Sequence, residues 1–209
     1  MKHENWAPLN IERGSGEPLS FEWNGVEQSK EIEVTARKLL KDGQDYLRSV
    51  VAEYPFPKQY IVCISPRARH ANLGSEMYLS AARLTALKTA DQYVQDLEQS
   101  QVIHELVHNL CDTEDLPMLI ELAYMLERGH DARIEKLHSI LKDGGLSKVY
   151  IDGLLSIANM LGFADPNELL LNISEQEVER MKALFQARIQ EILRELEDDV
   201  ASGRASIIS

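Results

Sequence analysis

The chain has 209 residues and a mass of 23.7 kDa, with 44% hydrophobic and 27% charged residues, enough for one sizeable domain and too globular in balance for wholesale disorder or a collagen-like repeat. Lys and Arg number 22 against 34 Asp and Glu, a net charge of -12, which excludes a broad basic face for nucleic acid and disfavours attraction to anionic lipid. Cys63 and Cys111 are too few for a disulfide framework, no apolar run reaches the ~18 residues of a membrane span, and Met1-Lys2-His3-Glu4-Asn5-Trp6 lacks the apolar stretch of a secretory signal, so the expected location is a reducing cytoplasm.

Residues 1–30 read as an irregular N-terminal arm laid over the core. Pro8, Gly14, Gly16, Pro18 and Gly25 punctuate it, and Phe21 and Trp23 anchor a short strand or hairpin near 19–27. Ile32, Leu39, Leu40, Leu47, Val50 and Val51 then mark a helix over 31–53, with Gly43 as a weak point and Pro55 and Pro57 beyond its end. The run Gln59-Tyr-Ile-Val-Cys-Ile-Ser65 predicts a buried strand. Residues 66–75, with Arg67, Arg69, His70 and Gly74, predict a solvated loop, and 76–84 a second strand. Asp96, with Gln99 three residues on, reads as the N-cap of a helix running to about Cys111. Pro117 suits the first turn of the next helix, which runs to Arg128 before Gly129. Further helices are expected at 131–142, 147–161, 166–171 and 175–200, the last opened by a Ser174/Glu177 capping box. Residues 201–209 read as a fraying tail. The domain boundaries that follow are 1–30 for the arm, 31–130 for a catalytic core and 131–209 for a C-terminal helical subdomain.

The stretch that carries chemistry is His104-Glu105-Leu106-Val107-His108. Residues i and i+4 of a helix share a face, so the two imidazoles can converge on one Zn²⁺ at ~2.0–2.1 Å. Glu105 lies about 100° round the helix from His104, beside the position left open for water, where a carboxylate can act as general base. Val102, Ile103, Leu106, Val107 and Leu110 make this helix apolar nearly all round. Such a helix is buried, and histidines on it need partners. A catalytic zinc wants a third protein ligand. Glu121 is the favoured candidate, a lone acid among Leu116, Leu119, Ile120, Leu122, Ala123 and Leu126 on a helix that can fold back antiparallel. Cys111, Asp112, Glu114 and Asp115 stand as alternatives.

Taken together, Val102–Leu110 and Leu116–Glu127 resemble the core of the gluzincin metallopeptidases, closest in style to the peptidase MA-like group and the minigluzincins, with Met118 where Trp is common there and Leu122 where Gly is common. The resemblance covers roughly residues 31–130 and is only topological before 102. It implies an α+β, zincin-like fold: a small mixed sheet, an active-site helix and a glutamate helix, followed here by a C-terminal helical portion. It implies zinc ligands His104, His108 and Glu121, general base Glu105, and an edge strand at 76–84 that aligns an extended peptide. Larger gluzincins carry an Asp four residues past the ligating Glu; Met125 stands there, so the group orienting the histidines is sought among Asn109, Asp112 and Glu127. An oxyanion-stabilising residue is sought among His70, Tyr124, His130, His138 and Tyr150, each of which reads first as a packing or surface residue.

The expectation is a zinc-dependent peptidase acting on peptide or protein substrates, with no nucleic-acid or membrane partner and an oligomeric state the sequence leaves open. The rival is a latent or non-catalytic zincin-fold module with structural zinc and a role in protein interaction or regulation, in which Cys111 or Asp112 closes the site.

Overall fold

The computed structural model describes residues 13–14, 19–66, 70–73 and 75–202, a mixed α+β arrangement of six strands and eight α-helices among those residues. Most of the N-terminal arm before Leu19, Arg67 and Arg69 of the expected loop, and the tail beyond Ser202 lie outside the described residues. A two-stranded ribbon pairs β1 (Arg13–Gly14) with β3 (Phe56–Pro57). The main sheet has four strands in the order β2 (Leu19–Trp23), β4 (Tyr60–Ser65), β6 (Glu76–Ser80), β5 (Ala71–Leu73). The first three run parallel, and β5 runs antiparallel to β6.

This order corrects two expectations. The strand expected over 76–84 is not an edge: β6 lies between β4 and β5, and the edge on that side is Ala71–Leu73, inside the expected loop. That strand also stops at Ser80. The Ser80 hydroxyl accepts from the Arg83 amide and starts α2 (Ala81–Ala86), because a cap worth about 0.5–2 kcal/mol followed by two alanines favours helix over strand. The anchor near 19–27 is a strand and no hairpin; it pairs in parallel with β4, and the Arg37 guanidinium lies 4.6 Å above the Phe21 ring.

The helix expected over 31–53 is α1 (Lys30–Val50), capped by Ser29. Gly43 is not a weak point. A Cβ there would lie 2.9 Å from Leu106 and 3.1 Å from Gln99, so the glycine lets α1 sit directly on α3 (Gln92–Val107). Helix α3 starts a turn earlier than expected, because Asp91 caps the Val94 amide; Asp96 lies inside it and holds His130 at 2.7 Å. Next comes α4 (Asp115–Glu127). All its residues from Leu116 to Leu126 are buried, as an all-round apolar helix requires. It packs on α3, on α6 (Lys148–Leu161) and on α8 (Val178–Ala201), which makes it the central rod. Between them run α5 (Asp131–Lys142) and α7 (Pro166–Asn172). Ser174 forms no side-chain cap: a 3-10 turn at Glu175–Glu177 precedes α8 in place of the expected capping box. No helix among the described residues is long and apolar enough to cross a membrane.

Candidate metal centre

His104 stands on the buried half of α3, where Val102, Ile103, Leu106 and Val107 are all fully buried. The helix ends at Val107, earlier than the expected Cys111. His108 is its C-cap and keeps a helical backbone, its amide bonded to the Glu105 carbonyl. The two rings therefore still share a face. Their Nε2 atoms lie 3.2 Å apart. Cys111 and Asp112 fall on the turn beyond and do not continue that face.

The turn through residues 108–114 reverses the backbone into α4 and brings Glu114 over the pair. Glu114 Oε2 lies 3.1 Å from His104 Nε2 and 3.7 Å from His108 Nε2. One donor atom from each of the three residues thus falls within 4.8 Å of the others. A tetrahedral ion with ligands at ~2.0–2.1 Å holds them about 3.3 Å apart, so the spacing fits a small cation. Glu114 Oε2 is buried without a hydrogen bond of good geometry. A carboxylate oxygen in that state is costly until something positive reaches it. Gly153 on α6 makes the position possible, since a Cβ there would lie 3.0 Å from Glu114 Cβ and 3.2 Å from its carbonyl carbon.

Each imidazole is also held at its other nitrogen. His104 Nδ1 meets Glu121 Oε2 at 3.0 Å, and His108 Nδ1 donates to the Cys111 carbonyl at 3.1 Å. Tying Nδ1–H to a carboxylate or carbonyl leaves the Nε2 lone pairs for a cation. Glu121, expected among the converging ligands, therefore sits on the far nitrogen of His104, with Arg133 Nη2 at 3.3 Å from its second oxygen. The reason is helical geometry. Glu114 and Glu121 are seven residues, or about 10 Å, apart along α4. When the turn lands Glu114 on the Nε2 side, Glu121 is carried past it. Glu121 and the Cys111 carbonyl thus do the orienting work for which Asn109, Asp112 and Glu127 were candidates. Asn109 instead bonds the Tyr60 hydroxyl, Asp112 is exposed and Glu127 pairs with Lys182. Asp115, another alternative ligand, accepts from Thr113 and Ser156.

The electrostatics follow from these contacts. Burial alone would lower His104, but the Glu114 and Glu121 carboxylates beside it outweigh burial and push the pKa up to about 10. The same carboxylates that suit a cation also favour a proton on His104. Burial, then the His104 charge, pushes His108 down. Burial pushes the Glu105 carboxyl up to about 7, with Glu114 and Glu121 raising it further against the pull of His104 and the Asn72 backbone. Cys111 does not reach the cluster. Its buried thiol faces the Val107 and Thr113 carbonyls, and burial holds it up to about 12.

Two cavities adjoin the cluster and share His104, Glu105 and Tyr150 as a common wall. One of about 530 Å³ opens towards β5, where Asn72 lines it. The other, about 280 Å³, is lined by His70, Arg83, Gln101 and Arg133. Tyr150 comes from α6. Its ring lies parallel to His104 within 16°, centroids 6.3 Å apart, and burial and the nearby carboxylates hold its phenol up to about 12, so it stays a donor. Of the other oxyanion candidates, Tyr124 packs edge-on against Tyr46, His130 is bound to Asp96 and His138 is buried on α5, while His70 lines the smaller cavity and holds Glu98 at 2.7 Å. A third groove, about 470 Å³ between α1, the first half of α3 and α4, gathers no comparable cluster.

No family model, curated protein or solved structure matches this protein.

Proposed function

We propose that this protein is a zinc-dependent peptidase, a zincin-like protein in which His104, His108 and Glu114 hold the ion and Glu105 is the general base. The observation that carries this is the convergence of two Nε2 atoms and one buried carboxylate oxygen, with both Nδ1 atoms already engaged. Two imidazoles and a carboxylate suit zinc among the common divalent ions. When bound, the ion would supply Lewis-acid polarisation of a peptide carbonyl and easier ionisation of water.

The remaining chemistry belongs to the protein's own residues. Glu105, raised to about 7, is poised to accept a proton from the attacking water and return it to the leaving nitrogen. Tyr150 reaches both cavities as a protonated phenol, suited to donate a hydrogen bond to an oxygen gaining negative charge. β5 is an edge strand beside Glu105, whose carboxylate bonds the Asn72 backbone, so an extended peptide adding to this strand would compete with that bond.

The test is metal content and hydrolysis in untagged protein. The parent should carry about one zinc. His104→Ala should lose it, and Glu105→Gln should keep it while peptide hydrolysis falls about 10²–10⁴-fold. A parent that binds no zinc, or a His104→Ala variant that still binds it, would sink the proposal. Zinc retained in Glu105→Gln with unchanged behaviour would instead favour a structural ion in a non-catalytic module.

A further inference from the structure

We propose that Arg133 forms a carboxylate-binding subsite beside the metal centre, so that the preferred substrate carries an acidic side group or a free C-terminal carboxylate next to the bond that is cut. This rests on the peptidase proposal and names the substrate class of the same site.

The cavity of about 280 Å³ has two guanidinium groups on its walls, and they are in different states. Arg83 is committed: its Nε lies 2.7 Å from Glu98 Oε1 and its Nη2 2.6 Å from Gln101 Oε1. Arg133 is under-used. Of the five N–H donors a guanidinium carries, one reaches Glu121 at 3.3 Å, a long contact for a charge-assisted bond, and its buried Nε has no partner among the described residues. Its side chain keeps 18% exposure and faces the cavity that Glu105 also lines.

The space is adequate: about 280 Å³ far exceeds the ~10–15 Å³ that a single water needs on the same measure. A planar fork with unspent donors is the group best matched to a carboxylate, which can take two of them at once. The overall charge of -12 disfavours an acidic ligand at long range. That field is screened beyond about 8–10 Å in physiological salt, so contact with Arg133 decides the preference.

The experiment has two arms. In the first, zinc-loaded protein digests a library of C-terminally amidated peptides scanned with Glu against Gln around the cut, beside a matched set with free C-termini. At one position kcat/KM should favour the carboxylate about 10- to 100-fold. The amidated and free sets tell a side-group carboxylate from a terminal one. Arg133→Gln should bring that ratio close to unity, and Arg133→Lys should restore part of it. Equal loss on both peptides, with the ratio intact, would make Arg133 only the partner of Glu121 and overturn the subsite. In the second arm, isotope-labelled metal-free protein is titrated with the acidic and neutral peptides while the Arg133 Nε–H resonance is followed. A shift with the acidic peptide alone, without cleavage in the first arm, keeps the subsite and removes the peptidase. Cleavage without preference, or no selective shift and no cleavage, removes the subsite.

Discussion

Helix α3 carries two buried polar clusters built on opposite rules. Around Glu98, donors and acceptors alternate: His70 Nε2 lies 2.7 Å from one carboxylate oxygen, and Arg83 holds the other and passes on to Gln101. Around His104, like faces like. Two Nε2 atoms stand 3.2 Å apart under a carboxylate oxygen that finds no well-formed hydrogen bond. The Glu98 carboxylate of the first cluster is closed by its own donors, although the other ring nitrogen of His70, Nδ1, is buried without a hydrogen bond. The second is closed only by something added, a proton on His104 or a cation. Both clusters hold buried groups, Glu98 and His70 in one and His104 in the other, so burial alone does not mark a site; the pattern around each carboxylate does.

The sharpest way to break this contrast is to add zinc. A ligand that binds only the folded protein stabilises it by about 4 kcal/mol at a free concentration of roughly 1,000 Kd. For a protein of this size that raises Tm by about 8–16 °C. Thermal unfolding with zinc and with a chelator should show that gap in the parent and lose it in His104→Ala, while Glu98→Gln should leave it intact. An equal zinc response in parent and His104→Ala would mean that the ion sits elsewhere.

The next effect separates the two acids of α4. Glu114 makes no side-chain capping bond at the head of the helix, so removing it costs the helix little. If Glu114 is a ligand and Glu121 orients His104, then Glu121→Gln should weaken zinc about 10- to 100-fold, the usual cost of losing a group that holds a ligating histidine. Glu114→Ala should weaken it further. Competition against a chromogenic chelator measures both. The reverse order would return Glu121 to the ligand position.

How far the sequence reaches depends on distance along the backbone. The shared face of His104 and His108 is legible because helical spacing fixes it locally, and their burial because the helix is apolar on every side. The choice between Glu114 and Glu121 is not legible. It turns on how tightly residues 108–114 reverse, and both acids occupy one face of α4 two turns apart. Glu114 lies six residues past His108 at the mouth of a polar turn, a weak signal beside a lone acid in an apolar helix. The edge strand Ala71–Leu73 is three residues long, too short for alternation to register. Tyr150 and Arg133 reach the wall from α6 and α5, a placement that follows from packing around α4 and from no local pattern.

The smallest effect tests the cluster around Glu98. Burial alone would raise the Glu98 carboxyl, but its bonds to His70 and Arg83 outweigh burial and hold it below the ordinary value of 4.5. A folded-state pKa below the unfolded one means that the folded protein binds this proton more weakly. The ion pair's contribution is therefore complete above 4.5 and fades as pH falls through the depressed value. Glu98→Gln keeps an acceptor oxygen but loses the charge, so it should cost about 1 kcal/mol near neutral pH. Urea midpoints of parent and variant should differ at neutrality and draw together on acidification, with zinc affinity the same in both. A gap that widened in acid would reverse the sign of the shift, and a fall in zinc affinity would show that the two clusters on α3 are coupled.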